Sequence, residues 1–227
     1  MDKCDERIVI EGGNELNGSV VISGAKNSAV ALIPATILAD SKVTIYGIPE
    51  ISDIDYLNNL LEELNCNIKK RKNILEIDPK RMKNTELIKN SVDKLKASYY
   101  LMGVLLGKYK KVVIRSSGGC YLGPRLIDLH LKGFEVLGEK IDYKDDIYTI
   151  TAKQLIGNKI YLDFAYVGAT INILLAAVKA QGQTIIENAA KEPEIIDVVN
   201  LLIKMGTKIQ GVGTDKIIID GVETLHG

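Results

Sequence analysis

The stretch "VGATINILLAAVKA" at residues 167–180 decides the fold, because it is apolar on nearly every face of a helix. A helix without a polar stripe belongs in the interior of a protein. Two further stretches share this pattern, "NSAVALIPATILA" at 27–39 and "KASYYLMGVLLG" at 96–107. Three buried helices need a surrounding wall, so the sequence predicts an α/β domain built around a helical centre.

An internal repeat of roughly 70 residues supplies that wall. In each unit a strand leads into an amphipathic helix, which is followed by a return strand and a closing strand. The leading strands are "KVTIYG" (42–47), "KVVIRS" (111–116) and "GQTIIEN" (182–188). We expect the amphipathic helices to begin at Asp55, Asp128 and Asp197 and the return strands at Ile68, Ile141 and Ile209. These units predict a pseudo-threefold domain, which the opening segment "RIVIEGGNELNGSVVI" precedes as a hairpin.

Composition excludes several classes of protein. The 29 basic and 29 acidic side chains of the 227 residues cancel, which removes the electrostatic case for a nucleic-acid or membrane partner. The three cysteines are far apart, which argues against a disulfide framework, and no paired motif predicts a metal site. We expect a cytoplasmic protein that carries neither cofactor nor metal.

The segment "RSSGGCYLGPRLIDLHLKG" at 115–133 is the first candidate for chemistry. Two glycines precede Cys120 and a glycine and a proline follow it, so the thiol lies in a shaped loop rather than in a packed core. A thiol in such a loop can act as an acid or as a nucleophile near neutral pH. The plain alternative is a free cysteine in a surface turn.

A second candidate is "SGAKNS" at 23–28, directly ahead of the first buried helix. Lys26 lies beside the amides of a helix N-terminus, which together form a compact anion site. Asn27 can both donate and accept hydrogen bonds. The alternative is a helix start with a solvated lysine.

These segments, with "VGATINILLAA" and "ENAAKEPEIIDVVNLLIKMGTKIQGVGTD", resemble the UDP-N-acetylglucosamine 1-carboxyvinyltransferases of the enolpyruvyl transferase family. The resemblance implies an inside-out α/β barrel domain with pseudo-threefold βαβαββ-type repeats around buried helices. It also implies the first committed step of peptidoglycan synthesis, in which an enolpyruvyl group passes from phosphoenolpyruvate to the 3'-hydroxyl of UDP-N-acetylglucosamine.

The resemblance also implies site residues. Cys120 is the implied general acid, and the implied phosphoenolpyruvate-binding residues are Lys26, Asn27 and Arg125. The residues implied for UDP-N-acetylglucosamine are Asn27, Lys96, Arg125, Leu126, Ile127, Asp128, Leu129, Phe164, Ala165, Tyr166 and Val167. His130 is expected on a helix surface without a chemical role, and "KEPE" at 191–194 as a solvated turn.

Three positions depart from the family pattern. Lys96 stands where arginine is usual, Leu126 where proline is common, and Tyr166 where a serine usually enters the nucleotide-binding turn. Loss of the planar guanidinium fork weakens binding at Lys96. The Tyr166 ring either stacks against the nucleotide or obstructs it.

The resemblance covers the first half of the family's usual length. It assigns residues 1–22 to the opening of a second domain, 23–222 to the first domain and 223–227 to the start of a return crossing. A second chain or domain would then complete the cleft. Two alternatives remain open: a non-catalytic UDP-sugar-binding or regulatory paralogue, and the related 3-phosphoshikimate 1-carboxyvinyltransferase.

Overall fold

Three helices form the centre of the domain and three others lie outside them. The computed structural model describes residues 8–88, 96–116 and 127–227. The central helices are α1 (Lys26–Thr36), α3 (Tyr100–Tyr109) and α5 (Val167–Ala177). The outer helices are α2 (Ser52–Glu63), α4 (Ile127–Val136) and α6 (Pro193–Lys204). The predicted alternation of buried and amphipathic helices is confirmed.

Each repeat closes with a sheet whose middle strand comes last in the sequence. The first repeat contributes β1 (Val43–Tyr46), β2 (Asn67–Arg71) and β3 (Ile74–Asp78), in the order β1-β3-β2. The second contributes β4 (Lys111–Arg115), β5 (Lys140–Lys144) and β6 (Ile147–Thr151), in the order β4-β6-β5. The third contributes β8 (Gln183–Glu187), β9 (Lys208–Gln210) and β10 (Lys216–Asp220), in the order β8-β10-β9. This recurrence confirms the pseudo-threefold prediction, and the described strands form three separate sheets rather than one closed barrel.

A strand ahead of the buried helix completes the βαβαββ pattern in the third repeat. There, β7 (Lys159–Tyr161) pairs in parallel with β8. The sequence analysis did not predict β7. In the second repeat a single parallel bridge between Leu87 and Ile114 takes its place. In the first repeat, residues 8–25 contain no strand.

The core is densest where α3 and α5 meet. All nine residues from Ala169 to Ala177 are buried. A Cβ added at Gly103 of α3 would overlap the backbone oxygen of Asn172, so only glycine allows this approach of the two helices. The close approach puts the Asn172 side chain within hydrogen-bonding reach of the α3 backbone.

The three outer helices end in the same way. The residue that reverses the chain has a positive φ in each repeat, and these residues are Asn65, Gly138 and Gly206. The residue after it is buried and donates its backbone N–H to the helix, and these residues are Cys66, Glu139 and Thr207. Within the described chain, neither carboxylate oxygen of Glu139 has a hydrogen-bond partner, and the Thr207 hydroxyl also lacks one. Burial raises the pKa of Glu139 to about 8, and the nearby Lys110 lowers it only in part.

Three expectations about the elements are wrong. Helix α2 begins at Ser52, three residues before the predicted start at Asp55. Helix α6 begins at Pro193, one turn before the predicted start at Asp197, because proline suits the first helical position. The expected hairpin in residues 7–22 is absent from the described part of that segment: residues 8–22 form no strand and are exposed throughout. The alternating pattern alone supplies no partner for the backbone hydrogen bonds that a strand requires.

The last residues of the chain pack on the first repeat. Asp40 donates its backbone N–H to the Leu225 carbonyl at 2.7 Å, and Leu225 is 1% exposed. The assignment of 223–227 to a return crossing remains a prediction, and in this structure the segment contributes to the first domain's core.

Candidate functional site

The first turn of α1 carries the predicted anion-binding pair. Ala25, the N-cap residue, makes no side-chain capping hydrogen bond, and no acidic residue lies in the first turn. The positive end of the helix dipole therefore faces out beside Lys26. Lys26 Nζ lies 2.9 Å from Asp53 of α2, and Asn27 donates from Nδ2 to Glu194 Oε1 of α6 at 3.1 Å. Both candidate residues are thus exposed at a helix N-terminus, as the sequence predicts.

Carboxylates from two other helices surround this turn, and sequence reasoning missed them. Besides Asp53 and Glu194, Asp197 accepts a hydrogen bond from Ser28 Oγ at 2.5 Å. The expectation of a solvated "KEPE" turn holds for residues 191–193, which are exposed, but Glu194 is half-buried and bonded to Asn27. A spacing of 167 residues separates the two bonded side chains, so no local pattern signals the contact.

The turn ahead of α5 is the second predicted element of the site. Within Phe164–Val167, the Phe164 side chain is 60% exposed and Tyr166 is the N-cap residue of α5. The Tyr166 ring makes an edge contact with His130, with ring centroids 5.8 Å apart. It also covers Gly168, where an added Cβ would lie 2.9 Å from the ring. The tyrosine therefore folds back onto the protein in this structure.

The third element is the start of α4. Asp128 is exposed there, Ile127 is half-buried, and Leu129 is 9% exposed and belongs to the core. Asp128 is consequently the member of this turn whose side chain is open to a ligand.

Four predicted positions fall at or beyond the limits of the described residues. Cys120, Arg125 and Leu126 lie outside them. Lys96 begins the 3-10 turn Lys96–Tyr99 that leads into α3, which places its backbone at the same end of the domain as the α3 N-terminus.

His130 is buried, so the expectation of a surface histidine is wrong. Its side chain is 4% exposed, and its Nδ1 lies 2.8 Å from Asn172 Nδ2. Burial lowers the pKa of His130 to about 4, which keeps the ring neutral at physiological pH. Because an amide nitrogen can only donate, Nδ1 is the acceptor and the ring proton lies on Nε2.

Asn172 links three helices through this contact. Its Oδ1 accepts the Gly103 N–H at 2.7 Å, and its Nδ2 also donates to the Tyr99 carbonyl at 2.9 Å. Both amide hydrogens of Asn172 and one of the two lone pairs on its Oδ1 are therefore engaged in hydrogen bonds. One buried side chain from the middle of α5 therefore holds the starts of α3 and α4.

Tyr100, the first residue of α3, is half-buried. Burial, with smaller contributions from Tyr166 and Glu194, raises the pKa of Tyr100 to about 12. The phenol therefore remains a hydrogen-bond donor at neutral pH.

Within residues 8–88, 96–116 and 127–227, no group of three or more His, Cys, Asp or Glu side chains is arranged to hold a metal ion. In the same part of the chain, no helix is both long and apolar enough to cross a membrane.

Known proteins resemble this chain closely in sequence. Residues 10–227 match the family described as EPSP synthase (3-phosphoshikimate 1-carboxyvinyltransferase). The chain is 58% identical over 222 residues to "UDP-N-acetylglucosamine 1-carboxyvinyltransferase 2" of Oceanobacillus iheyensis, covering 98% of this chain and 52% of the relative. The protein of that name from Bacillus subtilis is also 58% identical, with the same coverage. The chain spans about half the length of these curated relatives.

Solved structures resemble it in fold. The crystal structure of the enolpyruvyl transferase NikO from Streptomyces tendae has a TM-score of 0.82 at 24% identity, covering 95% of this chain and 51% of that one. An EPSP synthase structure from Acinetobacter baumannii has a TM-score of 0.70 at 20% identity, covering 92% and 48%. Both support the inside-out α/β fold.

Proposed function

Because the chain belongs to the EPSP synthase family, we propose that it forms the first domain of an enzyme that transfers an enolpyruvyl group from phosphoenolpyruvate to the 3'-hydroxyl of UDP-N-acetylglucosamine. One observation carries the choice of acceptor: 58% identity over 98% of the chain to proteins named for that reaction. A cytoplasmic location fits the proposal, since Cys66 is a free thiol.

The donor half of the proposed site uses three residues. Lys26, at the exposed N-terminus of α1, balances the negative charge of the phosphate, and Arg125 grips the phosphate with two parallel hydrogen bonds. Cys120 delivers a proton to the methylene carbon of phosphoenolpyruvate while the sugar hydroxyl oxygen bonds to the neighbouring carbon. Loss of phosphate and of a proton from the former methylene carbon then restores the double bond in the product.

The acceptor half is built from the starts of three helices. We assign the nucleotide to Lys96 ahead of α3, to Arg125–Leu129 at the start of α4 and to Phe164–Val167 ahead of α5. The buried His130–Asn172 contact supports this assignment, because it holds α4 and α5 at a fixed separation. Asn27 completes the site on the sugar side.

The opposite wall of the cleft is proposed to come from a second domain or chain. In the family resemblance, the base for the sugar hydroxyl and further arginines belong to that second domain. Positioning two substrates and excluding water lowers the activation barrier by roughly 7 kcal/mol or more. The 227-residue chain by itself should therefore bind the sugar nucleotide and turn it over very slowly.

Ligand binding to the chain tests the proposal. Calorimetry or ligand-observed NMR should detect UDP-N-acetylglucosamine and no comparable binding of shikimate 3-phosphate. Arg125→Ala should weaken nucleotide binding by about 1.5 to 3 kcal/mol, the usual contribution of a charge-assisted hydrogen bond. Preference for shikimate 3-phosphate would overturn the proposed acceptor, and unchanged binding in the variant would remove Arg125 from the site.

A non-catalytic UDP-sugar-binding role is the second candidate, favoured by Tyr166 in place of the usual serine. The packing of the Tyr166 ring on His130 weakens this alternative, because the ring lies against the protein in this structure. Release of inorganic phosphate from phosphoenolpyruvate and UDP-N-acetylglucosamine, once the second half is supplied, distinguishes an enzyme from a binding module.

A further inference from the structure

The contact between Asn27 and Glu194 fixes which end of the Asn27 amide faces a ligand. Glu194 is the second residue of α6, directly after Pro193, so its backbone is held by the start of that helix. A second contact between the same two helices, from Ser28 to Asp197, holds α1 and α6 in register. The Glu194 carboxylate therefore stands at a defined place beside the Asn27 side chain.

A carboxylate accepts hydrogen bonds and does not donate them, so the nitrogen of the Asn27 amide must face Glu194. The amide oxygen, Oδ1, then points away from Glu194. No hydrogen bond from the described residues reaches this oxygen, while Asn27 itself is exposed. The site thus presents an acceptor beside Lys26.

An acceptor at this position discriminates between ligand groups. A hydroxyl or an amide N–H can donate to Oδ1, whereas the oxygen atoms of a phosphate or carboxylate carry only lone pairs and are repelled by it. The neighbouring Lys26 has the opposite preference, since its ammonium attracts anions.

We propose that Glu194 is a positioning residue that sets the Asn27 amide to accept a hydroxyl or amide N–H of the acceptor sugar, and that the anionic donor is left to Lys26. The inference deepens the proposed function and rests on it for the identity of the sugar. It narrows the assignment of Asn27, which the sequence analysis gave to both ligands.

Glu194→Gln tests whether Asn27 serves the sugar and Lys26 the anionic donor. The substitution should weaken binding of the sugar nucleotide without weakening binding of phosphate. A glutamine amide can offer either its nitrogen or its oxygen to Asn27, so the orientation is lost and the Kd for UDP-N-acetylglucosamine should rise by about 3- to 10-fold. Removing a negative charge near Lys26 should leave the Kd for inorganic phosphate unchanged or lower it by up to about 3-fold.

Glu192→Gln is the matched control, since it removes the same charge from an exposed side chain two residues away. It should leave nucleotide binding within about twofold of the original chain. The side-chain NH₂ signals of Asn27 in ¹⁵N NMR spectra give a readout that needs no ligand. They should shift in Glu194→Gln and stay in place in Glu192→Gln.

Three outcomes would overturn the inference: unmoved Asn27 signals in Glu194→Gln, equal weakening of both ligands, or equal tightening of both. Equal weakening indicates a purely structural role, and equal tightening indicates simple charge repulsion. Failure of the unsubstituted chain to bind UDP-N-acetylglucosamine would sink the proposed function instead. In that event a shift of the Asn27 signals still supports Glu194 as the residue that orients the amide, and unmoved signals refute it.

Discussion

Asn172 of α5 donates a hydrogen bond to Nδ1 of His130 in α4 at 2.8 Å, and both side chains are buried. The same amide holds the backbone of α3 at Gly103 and Tyr99. One side chain thereby joins the three helices whose starts form the proposed nucleotide site. A polar contact at this depth is costly to break, because water cannot replace the lost partner.

Asn172→Leu should lower the free energy of unfolding by about 3 to 5 kcal/mol, because three buried polar groups lose their partner at once. Urea denaturation followed by circular dichroism measures this change. Asn200→Leu, at an exposed position of α6, is the control and should change stability by no more than about 0.5 kcal/mol. Equal effects of the two substitutions would show that the hydrogen bonds of Asn172 do not add to the free energy of unfolding.

Glu139 should make the domain less stable as pH rises. The pKa of the buried carboxyl is about 8 in the folded state, against 4.5 for the ordinary group, so the folded state binds the proton more tightly. The stabilisation is complete below the unfolded pKa and is lost as pH rises through about 8. The expected loss is roughly 3 to 5 kcal/mol, at about 1.4 kcal/mol per pKa unit.

Denaturation curves from pH 5 to pH 9 should show that decline in the unsubstituted chain and a much flatter profile in Glu139→Gln. Glu135→Gln, at an exposed position near the end of α4, four residues before Glu139, should keep the original slope. A Glu139→Gln profile as steep as the original would mean that other groups cause the pH dependence.

Cys120 should react with electrophiles while Cys66 does not. Burial raises the pKa of the Cys66 thiol to about 12, so its reactive thiolate is essentially absent at neutral pH. A phosphonate-bearing epoxide such as fosfomycin should add to the Cys120 sulfur, with opening of the epoxide C–O bond and protonation of the resulting alkoxide. Peptide mass spectrometry should place one adduct at Cys120 and none in Cys120→Ser. Labelling at Cys4 or Cys66 without Cys120 would refute the assignment.

Residues 8–22 should contribute little to stability. They are exposed and form no strand, so their amides should exchange with solvent at close to the rate of an unfolded chain. Deleting residues 1–20 should leave the Tm nearly unchanged and reduce self-association, because it removes five large exposed apolar side chains: Ile8, Val9, Ile10, Leu16 and Val20. Sedimentation velocity and calorimetry measure both effects.

Leu225→Ala at the other end of the chain provides the contrast. The Leu225 side chain is 1% exposed, so its replacement by alanine should lower the free energy of unfolding by about 2 to 5 kcal/mol. A large loss of stability on deletion of residues 1–20 would show that the opening segment is integral to this domain and that its assignment to a second domain is wrong.

Local pattern was sufficient for most of the architecture. The largely apolar stretch at 167–180 predicts the buried helix α5, and the return strands begin within one residue of the predicted Ile68, Ile141 and Ile209. The repeat made the order of elements predictable, because a pattern seen three times limits the possible folds. The spacing of apolar residues over a few positions indicates which face of a helix or strand is buried, and the sequence shows that spacing directly.

Sequence alone determined the threefold arrangement of helices and strands and the position of Lys26 at a helix N-terminus. Only the tertiary structure decided the partners of the polar side chains. Glu194 meets Asn27, His130 is buried against Asn172, and residues 8–22 remain without a strand partner. Hydrogen bonds and ion pairs depend on distances of about 3 Å between groups far apart in the chain, and no periodicity specifies such distances before the helices have packed.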